Sequence, residues 1–333
     1  MQVQDDLPLL ELMLEDTRSA GSLYKPTNYW AVYEKRSLLE FRRLGLRDFA
    51  NRRNSVLSSF GGIDGNITAP PRLPYDMQPE DLKDAVFDKV ALLGEKYGAR
   101  PIEALEISSA GNPKDLIWKN GKAYPASVLR YYLEYAYCCR FVDFDRVSVL
   151  VELGSGAGKQ AEIIKKLHPH ITFLLFDIPP QLYVAEQYLK TVVPEAVLSY
   201  RQTWDMSSAA DAAKAAPGKI LLFGNWKFPL LQELQLDLFW NSASFQEMEP
   251  DVVANYLSYV DPQAKAVFLH QMMGGKEVAA KRGKHGVLRQ TTLADYKKGL
   301  GSHRLVDLSE GLLPFHGVSK ASYQSSFWKH KQL

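Results

Sequence analysis

Two cysteines in 333 residues, adjacent at Cys138 and Cys139, are poorly placed for a structural disulfide or a thiolate metal clip. No apolar run approaches the ~20 residues that a membrane-spanning helix needs. An excess of one charge is missing too. Forty Lys and Arg stand against 38 Asp and Glu, a net charge of +2, which removes the electrostatic case for nucleic acid as the main partner. The N-terminus, MQVQDDLPLL, is acidic where a secretion signal would be basic. A reducing, cytoplasmic setting is therefore the expectation. The ordinary apolar share of 46% predicts a folded chain of one large or two modest domains.

Absences also narrow the ligand. Residues 147–160 read VSVLVELGSGAGKQ: a β-branched run, Glu152, then glycines at 154, 156 and 158. The apolar run suits a strand buried on both faces. Glycines at its end allow a tight turn and close backbone approach by a ligand, and the following helix points free N–H groups at that place. A dinucleotide fingerprint needs its third glycine at 159, which is Lys. A phosphate-binding P-loop needs glycine at 153 and Ser or Thr at 160, which are Leu and Gln. Lys159 is expected to be a solvated helix residue. A second buried-strand run, ITFLLFD, ends in Asp177, 23 residues beyond Gly154. In a βαβ unit an acid at this spacing reaches ribose hydroxyls. Asp177 also suits the cap of a helix begun by Pro179 and Pro180.

Residues 1–140 read as mainly helical, with helix patterns over Leu7 to Leu14, Tyr29 to Ala50, Pro79 to Tyr97 and Pro125 to Arg140. Gly61 to Tyr75 is a breaker-rich turn or linker. From residue 141 strands and helices alternate, predicting a mostly parallel sheet covered on both faces. Its strands are expected near Val147–Leu153, Ile171–Asp177, Lys219–Gly224, Leu236–Trp240 and Ala266–Leu269, with a last pair at Arg304–Leu308 and Gln324–Trp328.

The pattern acid-x-G-x-G-x-G resembles motif I of the class I S-adenosylmethionine-dependent methyltransferases. Gly111-Asn112-Pro113, the stretch LRYYLEYAY (129–137) and DLFWNSASFQEM (237–248) narrow this. Together they resemble the bacterial sugar O-methyltransferase family from roughly Trp30 to Val260. Ala157 and Gln160 depart from it, where members often carry glycine and an aromatic. The resemblance implies an α/β class I methyltransferase Rossmann-like sheet, mostly parallel with an antiparallel last strand, behind a helical N-terminal region. That region would be a lid, a substrate-binding part, a homodimer contact, or several of these. The implied reaction is transfer of a methyl group from S-adenosyl-L-methionine, leaving S-adenosyl-L-homocysteine, to a hydroxyl of a sugar or glycosylated natural product.

On that reading Glu152 meets the cofactor ammonium, and Gly154, Ser155 and Gly156 admit its methionine part. Asp177 holds the ribose and Ile178 packs on the adenine. Asn225 and Trp226 face the adenine edge, with Trp204-Asp205 as the other candidate. Tyr131 and Tyr132 line the methionine end. Segments just past strand ends lie beside the methyl group. Asn241, Ser244 and Gln246 there are candidate substrate-binding residues, as is His285 in a basic, glycine-punctuated stretch. Glu247 and His270 are the candidate general bases, the imidazole being matched to neutral pH; His303 and His316 stay ambiguous. No metal-ligand spacing is present, although carboxylates and histidines at separate strand ends leave Mg²⁺ open. The other readings are methylation of a carboxylate or phenol in a peptide or polyketide metabolite, and a non-catalytic scaffold of the same fold.

Overall fold

The structure, a computed structural model, describes residues 2–51, 80–114, 116–310 and 323–332. The Gly61 to Tyr75 stretch and His316 lie outside the described residues. The N-terminal part is helical, as its patterning predicts: α1 (Leu7–Arg18), α2 (Asn28–Leu44), α3 (Glu80–Lys96) and, after a hairpin, α4 (Ala126–Cys139). The hairpin pairs β1 (Leu116–Lys119) with β2 (Lys122–Pro125). Its turn uses Asn120 and Gly121, both at positive φ, as a tight two-residue turn requires.

The remaining chain alternates strand and helix. β3 (Val149–Leu153), α5 (Lys159–Leu167), β4 (Thr172–Asp177) and α6 (Pro179–Val192) form the first βαβ unit and its exit helix. Then come the short edge strand β5 (Val197–Leu198), helices α7 (Tyr200–Thr203) and α8 (Ala209–Ala215), β6 (Ile220–Gly224) and β7 (Leu236–Ser242). The chain continues through α9 (Pro250–Val260), β8 (Ala264–Gln271), α10 (Leu293–Gly299), β9 (His303–Glu310) and β10 (Gln324–His330). Eight strands make one sheet in the order β5-β6-β4-β3-β7-β8-β10-β9. The pairs from β5 to β8 are parallel. β10 is antiparallel to both of its neighbours. This is the mostly parallel Rossmann-like sheet with an antiparallel last strand that the sequence reading expects.

Every residue of β4 is buried, which explains its unbroken apolar run, since a parallel strand is covered on both faces. Phe173 and Leu175 join one core cluster; Leu174 and Phe176, one step out of phase, join the other. The first cluster also contains Leu9, Leu10, Phe41, Val86 and Leu133. Residues of the N-terminal helices and of the sheet thus share one core cluster. α1 and α2 pack on α6, and Tyr183 of α6 hydrogen-bonds the Asp6 N–H at 2.9 Å.

Lys159 corrects an expectation. It is only 2% exposed, with Nζ 3.7 Å from the Tyr188 ring centroid. Tertiary packing of α5 on α6 and on Phe49 encloses a side chain that helix position alone leaves in water, and aromatic faces receive its charge.

Phe173 is fully buried in the central layer. Phe173→Ala is expected to cost about 3–5 kcal/mol, read in urea unfolding as a lower midpoint with an unchanged slope.

Candidate active site

The β3–β4 pairing sets the site. Leu153 pairs with Phe176, so Glu152 and Asp177 end neighbouring strands at the carboxyl edge of the sheet, where open α/β sheets bind ligands. The turn after β3 packs closely. Gly154 has φ +82°, and a Cβ there would lie 2.3 Å from Ser244 Oγ, so only glycine fits. Gly158, also at positive φ, is the N-cap of α5.

Asp177 accepts hydrogen bonds from Gly156 N–H at 3.0 Å, Ser155 Oγ–H at 3.4 Å and Ile178 N–H at 2.8 Å. It therefore clasps the glycine turn, but it does not cap α6 as the sequence allows: the N-cap is Ile178, and no side chain accepts from the first turn. Burial nevertheless pushes its carboxyl up to about 7, against the pull of those bonds. Glu152 is buried, and its Oε2 has no hydrogen-bond partner among the described residues. Burial, with Glu134 and Asp177 nearby, raises its carboxyl well above the usual range. Such an orphaned acceptor suits a cation or a polar donor.

One cavity of about 620 Å³ joins these groups to the acceptor side, within the range of small-molecule sites. One end of it is lined by Glu152, Gly154, Ser155, Gly156, Asp177 and Ile178, all of them residues that the sequence reading brings together, and by Gln181. Gln181 went unnoticed in the sequence. Its amide is buried with neither Nε2 nor Oε1 partnered, a donor–acceptor pair of the kind an adenine or ribose edge needs. The only sequence signal is its place in the first turn after Asp177.

Of the two α4 tyrosines in the sequence reading, only one reaches the cavity. Tyr131 lines the cavity, whereas the Tyr132 hydroxyl donates to the Arg100 carbonyl at 2.9 Å, inside the packing of α4. Arg130 lines the cavity too. It donates to Glu134 Oε1 at 3.0 Å and Ser242 Oγ at 3.3 Å, giving this end both a cation and carboxylates. Asn225 and Trp226 do not line the cavity. The Asn225 amide donates to the Tyr24 carbonyl and the Tyr256 hydroxyl, and Trp226 packs on Tyr200. They follow β6, one strand beyond the ligand edge. Trp204, the other candidate, donates its indole N–H to Asp16 at 2.8 Å.

The other end of the cavity is built by α2, by the end of β7 and by segments beyond β7 and β8. Tyr29, Trp30, Tyr33 and Arg36 come from α2, Ser242 to Ser244, Glu247 and Met248 from beyond β7, and Lys276 and Tyr323 from later in the chain. Ala243 has φ +56°, an uncommon conformation for a residue with a Cβ, held by its N–H donating to the His270 carbonyl at 2.8 Å. Glu247 is the central group. Its Oε1 takes Lys276 Nζ–H at 2.9 Å and its Oε2 takes Trp30 Nε1–H at 3.0 Å. Burial raises its carboxyl, while Lys276, Trp30 and Tyr29 pull it back down. Thr27 Oγ1–H donates to the Glu247 carbonyl at 2.8 Å, tying the start of α2 to this segment.

Four expected residues stand off the cavity. Asn241 is wholly buried, its amide shared among Leu153, Phe245 and Gln271. Gln246 is wholly buried behind Tyr323. His270 also sits behind Tyr323, the rings stacked at 5.1 Å and 12°, with Nδ1 2.8 Å from Ser325 Oγ. His285 is half exposed, 3.1 Å from Glu277 and edge-on to Tyr29 and Tyr33 at the outer rim. His303 lies against Asp261 and the Ala264 carbonyl. No group of three metal-ligating side chains occurs among the described residues. No helix among them is long and apolar enough to cross a membrane.

Residues 82–207 match the model of an O-methyltransferase domain, a stretch that holds the glycine turn and Asp177. No curated protein matches the sequence. Among solved structures, the pyocyanin biosynthetic protein PhzM is similar with TM-score 0.39 and 15% identity, over 61% of this chain and 56% of that one. An S-adenosylmethionine-dependent methyltransferase from Clostridium acetobutylicum ATCC 824 gives 0.39 and 11%, over 60% and 90%. NcsB1, an O-methyltransferase of neocarzinostatin biosynthesis solved with S-adenosyl-L-homocysteine and 1,4-dihydroxy-2-naphthoic acid, gives 0.37 and 13%, over 61% and 55%. The match thus spans little more than half of the first and third of these proteins.

Burial keeps a proton on Asp177 over a pH range where the unfolded chain has lost it. Its stabilising contribution is full below the ordinary value of 3.8 and is lost as pH rises through about 7. The unliganded protein should therefore lose stability relative to Asp177→Asn across that window, as measured by urea unfolding at a series of pH values.

Proposed function

We propose that this chain is an S-adenosylmethionine-dependent O-methyltransferase acting on a hydroxyl of a small natural-product-type acceptor, a sugar or glycosylated molecule first. The observation that carries the reading is one cavity with two chemically distinct ends. Buried carboxylates at adjacent strand ends stand at one, and a carboxylate held by a lysine and an indole stands at the other. The domain match over 82–207 supports the same chemistry.

The nucleotide wall fits the cofactor. Asp177 would hold the ribose diol, Gln181 and Ile178 the adenine, Glu152 the ammonium and Arg130 the carboxylate. A sulfonium cation also suits a site whose carboxylates are otherwise costly to ionise. When bound, S-adenosylmethionine supplies an electrophilic methyl group. This chain's residues then do the rest. The α2 wall, with Tyr29, Trp30 and Tyr33, excludes water and orients the acceptor. Alignment at about 3 Å accounts for much of the rate gain in such displacements. Glu247 takes the proton as the acceptor oxygen forms its new bond to carbon. Lys276 and Trp30 keep the Glu247 carboxylate pointed at the cavity. His270, behind Tyr323, is the less favoured base.

The aromatic lining favours a second reading, a phenolic acceptor. Tyr29, Trp30, Tyr33, Tyr131 and Tyr323 all face the cavity, and flat rings pack well against such walls. The free cysteines 138 and 139 fit a reducing, cytoplasmic setting.

Calorimetric titration with S-adenosylmethionine and S-adenosylhomocysteine should show saturable binding, with NADH inert; binding of NADH alone would sink the proposal. Asp177→Ala should lose cofactor affinity. Glu247→Gln should keep it and slow methyl transfer by about 10²–10⁴-fold; transfer at the parent rate would remove Glu247 as base.

A further inference from the structure

We infer that Tyr323 is a positioning residue for the acceptor, directing its hydroxyl proton at an acceptor oxygen other than the one methylated. The inference rests on the methyl-transfer reading above. It comes from donor and acceptor accounting along a buried relay of three amides.

A backbone N–H can only donate. Met272 N–H lies 2.6 Å from one terminal atom of the Gln246 amide, so that atom is the carbonyl oxygen. The other terminal atom, 2.8 Å from Tyr323 Oη, is then the nitrogen, and it donates to the tyrosine. The same logic orients the next two amides. Gln246 N–H donates to Gln271 Oε1 at 3.1 Å, so Gln271 Nε2 donates onward to Asn241 Oδ1 at 2.7 Å. Asn241 Oδ1 also accepts Phe245 N–H at 3.0 Å, which leaves its Nδ2 to donate to the Leu153 carbonyl at 2.7 Å. All three amides are 0% exposed. Three backbone groups therefore fix the three amides, Gln271 and Asn241 holding the Gln246 main chain and the Gln246 side chain alone reaching Tyr323 at the cavity wall.

The consequence falls on Tyr323. A phenol hydroxyl carries one proton and two lone pairs. Gln246 occupies a lone pair, so the proton stays available, and no acceptor for it occurs among the described residues. Tyr323 lines the cavity together with Lys276, which can only donate, and Glu247, whose carboxylate is engaged by Lys276, Trp30 and Tyr29 and not by Tyr323. The His270 ring stacked behind it holds the phenol plane. A hydroxyl kept as a donor at the acceptor end selects molecules with a second oxygen near the reacting one. A sugar vicinal diol or an ortho-dioxygenated ring meets that need.

The test uses the full chain saturated with S-adenosylhomocysteine. Calorimetry compares catechol with phenol, and methyl β-D-glucopyranoside with its 2-deoxy analogue. The parent should bind the dioxygenated member of at least one pair about tenfold more tightly, the worth of one hydrogen bond. Tyr323→Phe should abolish that preference while keeping S-adenosylhomocysteine affinity. Gln246→Leu should weaken the preference, and the double variant should be no worse than Tyr323→Phe, as expected for one pathway. Equal binding within both pairs by the parent, or a preference surviving in Tyr323→Phe, overturns the role of Tyr323 alone. Failure of the parent to bind S-adenosylhomocysteine overturns the methyl-transfer reading and this inference with it.

Discussion

The parallel pairing of β3 with β4 is the constraint from which the rest of the site follows. It puts Gly154 N–H on the Phe176 carbonyl at 2.9 Å, and so carries the glycine turn past the Asp177 carboxylate. Gly156 N–H then reaches that carboxylate at 3.0 Å. Without this register the turn would have no anchor, and Glu152 and Asp177 would not share one cavity. The arrangement keeps two carboxyls out of water, which disfavours their charged forms. A cationic, hydroxyl-bearing ligand relieves that condition.

The acceptor side rests on a different interaction, the buried pair of Glu247 and Lys276. Each side chain is only 11% exposed. Pairs like this seldom add net stability, because desolvation offsets their attraction. What they do supply is direction. Lys276 and Trp30 pin the Glu247 carboxylate from two sides, and Thr27 ties the start of α2 to the Glu247 backbone. Asn28 extends the same clamp, its Nδ2 donating to the Lys284 and Gly286 carbonyls and its Oδ1 accepting Gly283 N–H. α2 and the basic stretch near His285 thus form one wall, and a segment 220 residues earlier in the chain shapes the acceptor end.

The polar motif after β7 shows how a sequence signal can be sound in kind and displaced in role. Asn241 and Gln246 read as substrate ligands because polar residues past a strand end usually face the ligand. In the fold both amides turn inward: Gln246 meets the Tyr323 hydroxyl, and Asn241 the Leu153 carbonyl. Burying unpartnered amides is costly. Here nearly every donor and acceptor is answered, so the polarity serves the wall and not the ligand directly. Ser244 and Glu247, from the same segment, do face the cavity. Spacing alone does not separate the two sets, because the irregular turn through Ala243 at positive φ breaks the strand's two-residue alternation.

Periodicity and local chemistry by themselves determined a good deal. They located the four N-terminal helices, the seven long strands of the described residues to within a few residues, the glycine turn, and the strand-end acids Glu152 and Asp177 beside it. Those features depend on residues close in sequence: an apolar run, a breaker, an acid at a strand end. Tertiary structure alone decided which of Tyr131 and Tyr132 reaches the cavity, that Lys159 is buried, and that Asn225 stands aside. It also brought Gln181, Arg130, Trp30, Lys276 and Tyr323 to the same space. Trp30, Lys276 and Tyr323 meet partners tens to hundreds of residues away, as Arg130 meets Ser242, and side chains of that kind have ordinary surface roles in most folds. Packing of α2 and β10 against the sheet edge supplies the proximity, and no local pattern encodes it.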